Sequence, residues 1–507
     1  MLDLVAPGWR GLNTQKKGQL LSPEWCTEAQ NAVIDDSLRV ACRSGYAVST
    51  TTPIGSTPDI QTLHQYLKHT GEVETILAWD GGISNDIADP VTNDCSGAVT
   101  DADGRWKFGN YNDKVIGFQD NQKPIVYTGT TFATITESSG TAPTIHNGVG
   151  MCAWGRVWGL DSDGQTIKYS GLLDETDWGT VSAGLIDMAN LWTGGVDEVR
   201  AISAFNGSLV VFGRNHIVIW DDQTGSQLGF DPLQAVVVDV IEGTGTLTQW
   251  SVQAVSEGDL LFISRNGLQS LGRVIQEKSN PLADVSQNVR DELMADIRSL
   301  SEIDDLRSCY FPEEGQYILS IPNQRTWVFD VKKRFQDEMG QLAFPATRWT
   351  IAPHALVALQ NGSLLMGEAG VVWTYGGSTD SGATIEYKFH SPWLDLGEQL
   401  GNRKKMVKRL GATVLATTNG TLNFKIGVDF QDSDADTLQS AITAESGAEF
   451  SVAEFSLDEF GGGLSLRIVN VPARATGQYF RLKLETDTNE GFALQQYEIF
   501  AKIGRQA

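Results

Sequence analysis

The chain has 507 residues, with 38 Lys+Arg against 63 Asp+Glu, a formal net charge of −25, and 41% hydrophobic against 20% charged residues. Such a composition excludes disorder for the bulk of the chain, which requires low hydropathy and high charge. The acidic balance also excludes a protein that grips DNA by neutralising phosphates, though not one that encloses DNA without holding it.

A soft prior of roughly 150 residues per domain gives about three domains, a count that large β folds exceed. No apolar run approaches the roughly 18 residues of a membrane helix. The opening Met1-Leu2-Asp3-Leu4 lacks the basic start and apolar stretch of a secretory signal. Five scattered cysteines without a CxxC pair argue against a zinc site or a disulfide framework, and for reduced, intracellular synthesis.

Taken in chain order, residues 1–70 read as an extended, turn-rich segment and platform, with a short helix over residues 58–70 from Ile60, Leu63, Tyr66 and Leu67. Residues 71–384 read as a repeat. Small polar turns recur at Asn112-Asp113, Asp163-Gly164, Asn206-Gly207, Glu257-Gly258, Glu314-Gly315 and Asn361-Gly362, each followed by an apolar strand such as Leu209-Val210-Val211-Phe212 or Leu364-Leu365-Met366-Gly367. Asn-Gly and similar pairs suit tight hairpins, where positive φ is needed. Steps between most of these turns are about 45 to 57 residues, close to known propeller repeats. Six repeats are counted, and residues 75–79 supply a further strand that completes or closes the ring.

Val285, Val289, Leu293 and Ile297, spaced by four, predict an inserted helix near 284–300. Residues 385–507 alternate apolar and polar positions, as in Leu464-Ser465-Leu466-Arg467-Ile468-Val469, which reads as a β-sandwich with one solvated face. The expected fold is therefore all-β: a six-bladed β-propeller with a C-terminal β-sandwich and an extended N-terminal segment.

Motifs for chemistry are sparse. No P-loop, GxSxG, HExxH or dinucleotide signature is present. His64 and His69 do not share a helical face, so no metal site is assigned. Asp101-Ala102-Asp103-Gly104 and Asp161-Ser162-Asp163-Gly164 place alternating carboxylates in loops, the donors Ca²⁺ prefers, but lack the further oxygens and distal Glu of an EF-hand. Turn chemistry is the better account of them, since Asp and Gly are the usual hairpin-turn residues. A glycosidase needs two carboxylates at a defined separation, which sequence does not supply. Asp163, Gly164 and Trp178 match an Asp-box only at the wrong spacing. No catalytic, cofactor-binding or metal residue is nominated. The strongest charge contrast is Arg403-Lys404-Lys405-Met406-Val407-Lys408-Arg409, five basic residues in seven. It reads as a strand with basic exposed positions or as a contact with an acidic partner or passing nucleic acid.

A family resemblance enters at the N-terminus. Trp9-Arg10-Gly11-Leu12-Asn13-Thr14, Leu21-Ser22-Pro23-Glu24-Trp25, Glu28-Ala29-Gln30-Asn31-Ala32, Asp35-Asp36-Ser37-Leu38-Arg39 and Arg43-Ser44-Gly45-Tyr46 follow one another. This order resembles the opening of the tail nozzle (tail tubular) proteins of short-tailed, podovirus-type bacteriophages. Trp9-Arg10 and Ser37 stand where that family carries glycine. Trp393-Leu394-Asp395-Leu396-Gly397, the basic run and Tyr479-Phe480-Arg481-Leu482 resemble its terminal sandwich. The resemblance implies a structural, non-enzymatic virion protein: a homo-hexameric nozzle beneath a dodecameric adaptor, extending and gating the channel for DNA retention and ejection. It implies assembly in the host cytoplasm, tail fibres or a distal tail protein as further partners, DNA that slides past an acidic lumen, and no membrane anchor. Interface candidates are Trp9, Arg10, Leu12, Asn13, Arg403, Lys404, Lys405, Lys408 and Arg409. The alternative is a tail-associated receptor-binding or glycan-processing propeller.

Overall fold

The computed structural model describes residues 2–5, 7–99, 103–192, 195–222, 229–255, 258–277, 284–336, 340–396, 403–416, 420–431, 433–442, 465–488 and 492–503. The chain is all-β with short helical insertions. Among the described residues between 60 and 375, seven antiparallel groups of three or four strands follow one another, the sixth being part of a nine-stranded sheet, with the small pairs Ser139–Gly140 with Asp177–Trp178 and Phe335–Gln336 with Leu342–Ala343 beside them. The first strands of these sheets are, in order, Ile60–Leu67, Lys107–Tyr111, Gly150–Ala153, Val199–Phe205, Gln253–Val255, Arg307–Phe311 and Ala355–Ala358. The hairpin turns fall where the sequence places them: Asn112 and Asp113 have φ of 42° and 57°, and Asn206 and Gly207 have 49° and 86°.

The sheets pack face to face in cyclic order. Ile60, Leu63 and Leu77 of the first sheet meet Ala355, Leu365 and Val372 of the last. Tyr66 and Ile76 on its other side meet Phe108 and Val115 of the second. Equivalent layers lie between the second and third, third and fourth, and fourth and fifth sheets. Leu261 and Ile263 of the fifth meet Tyr317 and Leu319 of the sixth, and Ile318 and Val328 of the sixth meet Leu364 and Met366 of the last. The circuit thus returns to its start. It holds one sheet more than the six counted from the turns, the extra one being the sheet that contains Val73–Trp79.

The expected helix over residues 58–70 is instead the strand Ile60–Leu67, paired with Val73–Trp79. Its apolar spacing mimics a helix for a physical reason. Both faces of the strand are covered by neighbouring sheets, and a bulge between Ile60 and Thr62 shifts the phase of the alternation. The inserted helix runs over Arg290–Arg298, later than expected. The Asp284 carboxylate accepts from the Ser286 N–H at 2.8 Å and pairs with Arg290 at 2.6 Å, fixing a turn where the helix was expected to start. Val285, Val289, Leu293 and Ile297 are nevertheless all buried.

N-terminal strands are distributed through distant sheets. Tyr46–Val48 pairs with Val371–Tyr375 and adds the outer strand of the last sheet. Glu28–Gln30 lies between Ala346–Trp349 of the sixth sheet and Ile385–His390, so the sixth sheet continues into the C-terminal region. There, Ile385–His390, Phe480–Thr488, Gly420–Val428 and Asp434–Ile442 form one layer. Ala32–Ile34, Val40–Cys42, Phe492–Ile503, Lys405–Ala416 and Ser465–Gly477 form the other. The Phe389, Phe424 and Leu484 side chains of the first layer and Leu410 and Val414 of the second belong to the same core as Leu261 and Tyr317.

Candidate functional site

The residues that carry the N-terminal resemblance form a clamp. The Arg10 N–H donates to Glu24 O at 2.9 Å, and the Cys26 N–H donates to Gly11 O at 3.0 Å, so the two motif segments lie side by side. Gly11 has φ +77°, and a Cβ there would come within 2.6 Å of the Ala346 backbone nitrogen, so only glycine allows this approach. The Leu12 N–H donates to Ala346 O at 2.8 Å. Leu12 and Asn13 are buried inside their own chain. Trp9 and Arg10 are half-buried: the Arg10 guanidinium lies 5.3 Å, 6.0 Å and 5.4 Å from the rings of Trp9, Trp25 and Phe335, and it pairs with Glu24 at 2.9 Å.

Further along, one buried and one half-buried ionic contact fasten this N-terminal strap. Arg43, whose side chain is 0% exposed, grips Asp380 with two hydrogen bonds of 2.8 and 2.7 Å. Arg348 bridges Glu28 of the strap, at 2.5 Å, and Glu292 of the helix. No local pattern signals either, because the partners are hundreds of residues apart.

The basic run divides in two. Lys405 is buried, and its ammonium donates to the Asp395 and Gln478 carbonyls, with burial pushing its pKa down. Arg403, Lys404, Lys408 and Arg409 are exposed. Lys408 and Arg409 are consecutive yet both face outward, because a bulge falls between Val407 and Arg409 in both pairings of this strand. Arg409 stacks 3.8 Å over the Phe500 ring. No described ion pair involves Arg403, Lys404 or Lys408.

Both Asp turns are occupied by backbone contacts. Asp163 accepts from the Gln165 and Thr166 N–H groups and the Thr166 hydroxyl at 2.9, 2.8 and 2.6 Å, while Asp161 pairs with Lys168 at 2.7 Å. Asp101 and Ala102 lie outside the described residues; Asp103 accepts from the Arg105 N–H at 2.9 Å. No group of three or more metal-ligating side chains occurs among the described residues. No described helix is long and apolar enough to cross a membrane.

A cavity of about 480 Å³ sits at the hub of the sheet circuit, lined by the first strands of several sheets. Lys107, His64, Gln253, Trp106, Phe108 and Trp250 contribute to it. Lys107 is half-buried and has no carboxylate partner among the described residues, and burial pushes its pKa down to about 7. Burial likewise pushes the His64 imidazole down to about 4, against an opposing 3.2 Å hydrogen bond with Asn110. Arg307 stacks 4.3 Å from the Trp250 ring, donates to the Gln61, Asp304 and Leu306 carbonyls, and is lowered by burial to about 10. Apart from the consecutive Trp106, Lys107 and Phe108 and the nearby pair Trp250 and Gln253, these residues come from different repeats, and no local pattern marks them as neighbours.

No protein-family model and no curated protein matches the chain. Among solved structures it is similar to the computationally designed Ika8 protein, at 13% identity over 66% of this chain and 100% of the other, with a TM-score of 0.38. The WD40 beta propeller domain of Doa1 gives 11%, 66%, 97% and 0.36. An extracellular domain from B. thetaiotaomicron gives 10% identity over 89% of this chain and 61% of its own length, with a TM-score of 0.42. Likenesses this low do not bear on function, and the architecture described above rests on the chain's own strand pairing and packing.

Proposed function

We propose that this chain is a structural, non-enzymatic virion protein: one of six subunits forming the nozzle of a short phage tail, where it extends and gates the channel that retains and releases DNA. Its architecture is read as a β-propeller of seven blades, one more than counted from the turns, carrying a C-terminal β-sandwich. The observation that carries the reading is the strap. The residues whose order resembles nozzle proteins run through both bodies, adding the outer strand of the last blade and joining the sixth to the sandwich. A ring subunit has to transmit load between heterologous contacts without hinging, and a strap of this kind makes propeller and sandwich one wedge.

Charge supports the same reading. A net charge of −25 suits a conduit past which DNA slides, while the exposed Lys404, Lys408 and Arg409 offer a cationic patch to an acidic neighbour in the ring or to the dodecameric adaptor above it. Tail fibres or a distal tail protein are the partners expected below, and assembly in the host cytoplasm precedes incorporation into the tail. Cryo-electron microscopy of the source particles, averaged sixfold about the tail axis, tests the proposal. Six copies around a DNA-wide channel under a twelvefold ring are expected. Peripheral or trimeric density would overturn it in favour of a receptor-binding or glycan-processing role.

A further inference from the structure

The hub cavity has a composition that the nozzle role does not use. It lies inside one subunit's circuit of blades, apart from any lumen between subunits. Its volume, about 480 Å³, falls within the range of small-molecule sites. Half-buried Trp250, Leu356 and Val357 give it apolar walls, while Trp106 and Phe108 behind the lining are buried. The polar groups around it are mostly committed. The Gln253 amide donates to the Ser308 carbonyl and hydroxyl at 2.9 and 3.2 Å, and His64 is held by Asn110. Arg307 is bound to backbone carbonyls and stacked on Trp250.

Lys107 differs from all of these. It lines the cavity, and no hydrogen bond or ion pair engages its ammonium among the described residues. A half-buried cation without a counter-charge is poorly compensated, and an anion arriving in the cavity would supply what the fold withholds. An inorganic anion would leave Trp250, Leu356 and Val357 facing water, whereas an organic acid would cover them. We propose that the hub cavity binds a small organic carboxylate, its charged end held by the Lys107 ammonium and its apolar body seated against Trp250, Leu356 and Val357.

The depressed basicity of Lys107 gives the binding a signature. At pH 8 the free amine is mostly neutral, with its pKa near 7, and a bound carboxylate favours the charged form. Binding therefore takes up a proton, and affinity falls as pH rises from 7 to 9.

Isothermal titration of the purified full chain at pH 8 tests this, with benzoate, butyrate and inorganic phosphate as probes in two buffers of different ionisation enthalpy. Benzoate should bind more tightly than phosphate, with proton uptake. Lys107→Met should weaken benzoate roughly tenfold or more, the loss of one charge-assisted hydrogen bond. Lys107→Arg, charged at every pH used, should keep the binding and abolish the proton uptake. A measurement on the unmutated chain guards against a folding defect: benzoate should slow reductive methylation of Lys107 several-fold, read by mass spectrometry. The proposal is overturned if no carboxylate binds at millimolar concentration, if phosphate binds as well as benzoate, or if Lys107 is methylated at the same rate with and without benzoate. Since these readouts need only the isolated chain, their failure is distinct from a failure of the nozzle reading.

Discussion

The circuit of blades and the C-terminal sandwich are built from the same kind of strand but bury it differently. In the circuit, neighbouring sheets cover both faces, so Gln316–Ile321 is buried at every position. In the sandwich one face meets water: Val469, Val471, Ala473 and Ala475 are buried while Asn470, Pro472 and Arg474 between them are exposed. Strand lengths differ too: Gln253–Val255 in the circuit has 3 residues, whereas Lys405–Ala416 and Ser465–Gly477 run to 12 and 13. Electrostatics also divide. Arg307 of the circuit is bound inward to backbone carbonyls, whereas the sandwich presents Lys408 and Arg409 outward on a bulge. A strand face that meets water is available to partners.

Three substitutions test that contrast. Arg43→Met leaves the Asp380 carboxylate without its buried counter-charge and loosens the outer strand of the last blade. It should cost about 3–5 kcal/mol in urea denaturation, and a cost near zero would mean that the strap does not hold the circuit shut. Gly207→Ala forces an L side chain into a φ of 86° at a hairpin that packing does not crowd. A loss of about 1–2 kcal/mol is expected in the same assay; no loss would show that blade turns bend freely. Lys408→Glu should leave stability within about 0.5 kcal/mol, because the side chain is exposed and makes no described ion pair. Its effect belongs to assembly, seen as fewer hexamers by analytical ultracentrifugation. A destabilised but fully assembling variant would assign the basic edge to the fold alone.

The contrast also explains what the sequence disclosed. The alternation read at Leu464 to Val469 has the wrong phase where it can be followed: Ile468 is exposed and Val469 buried, because two adjacent apolar residues leave the inward face ambiguous, and Leu464 lies outside the described residues. Turns such as Asn112-Asp113 are legible because positive φ restricts the residues that can occupy them. Ile60–Leu67 misled because neither face is solvated, so no alternation survives, and a bulge then restores a helix-like spacing. The destinations of the first 50 residues were not legible. Tyr46 stacks on Trp373 at 4.3 Å, a contact between positions with no shared local pattern. The basic run was visible as charge, yet Lys405 turned inward to backbone carbonyls by the alternation of its strand, while the bulge after Val407 left both Lys408 and Arg409 outside. The hub cavity was not legible at all, because its walls are short runs, such as Gln61 to His64, Arg307 to Tyr310 and Ala355 to Ala358, drawn from repeats far apart in the chain.

The outer strand added to the last blade has a consequence for how the protein is made. Tyr46–Val48 leaves the ribosome long before its partner Val371–Tyr375, and Leu2–Val5 waits longer still for Phe492–Ile503. Early blades can stack as they emerge, but the circuit cannot shut during most of translation. The nascent chain therefore carries its own latch, unpaired, until the end of synthesis, and a circular permutant cut between blades would bring latch and catch together from the start.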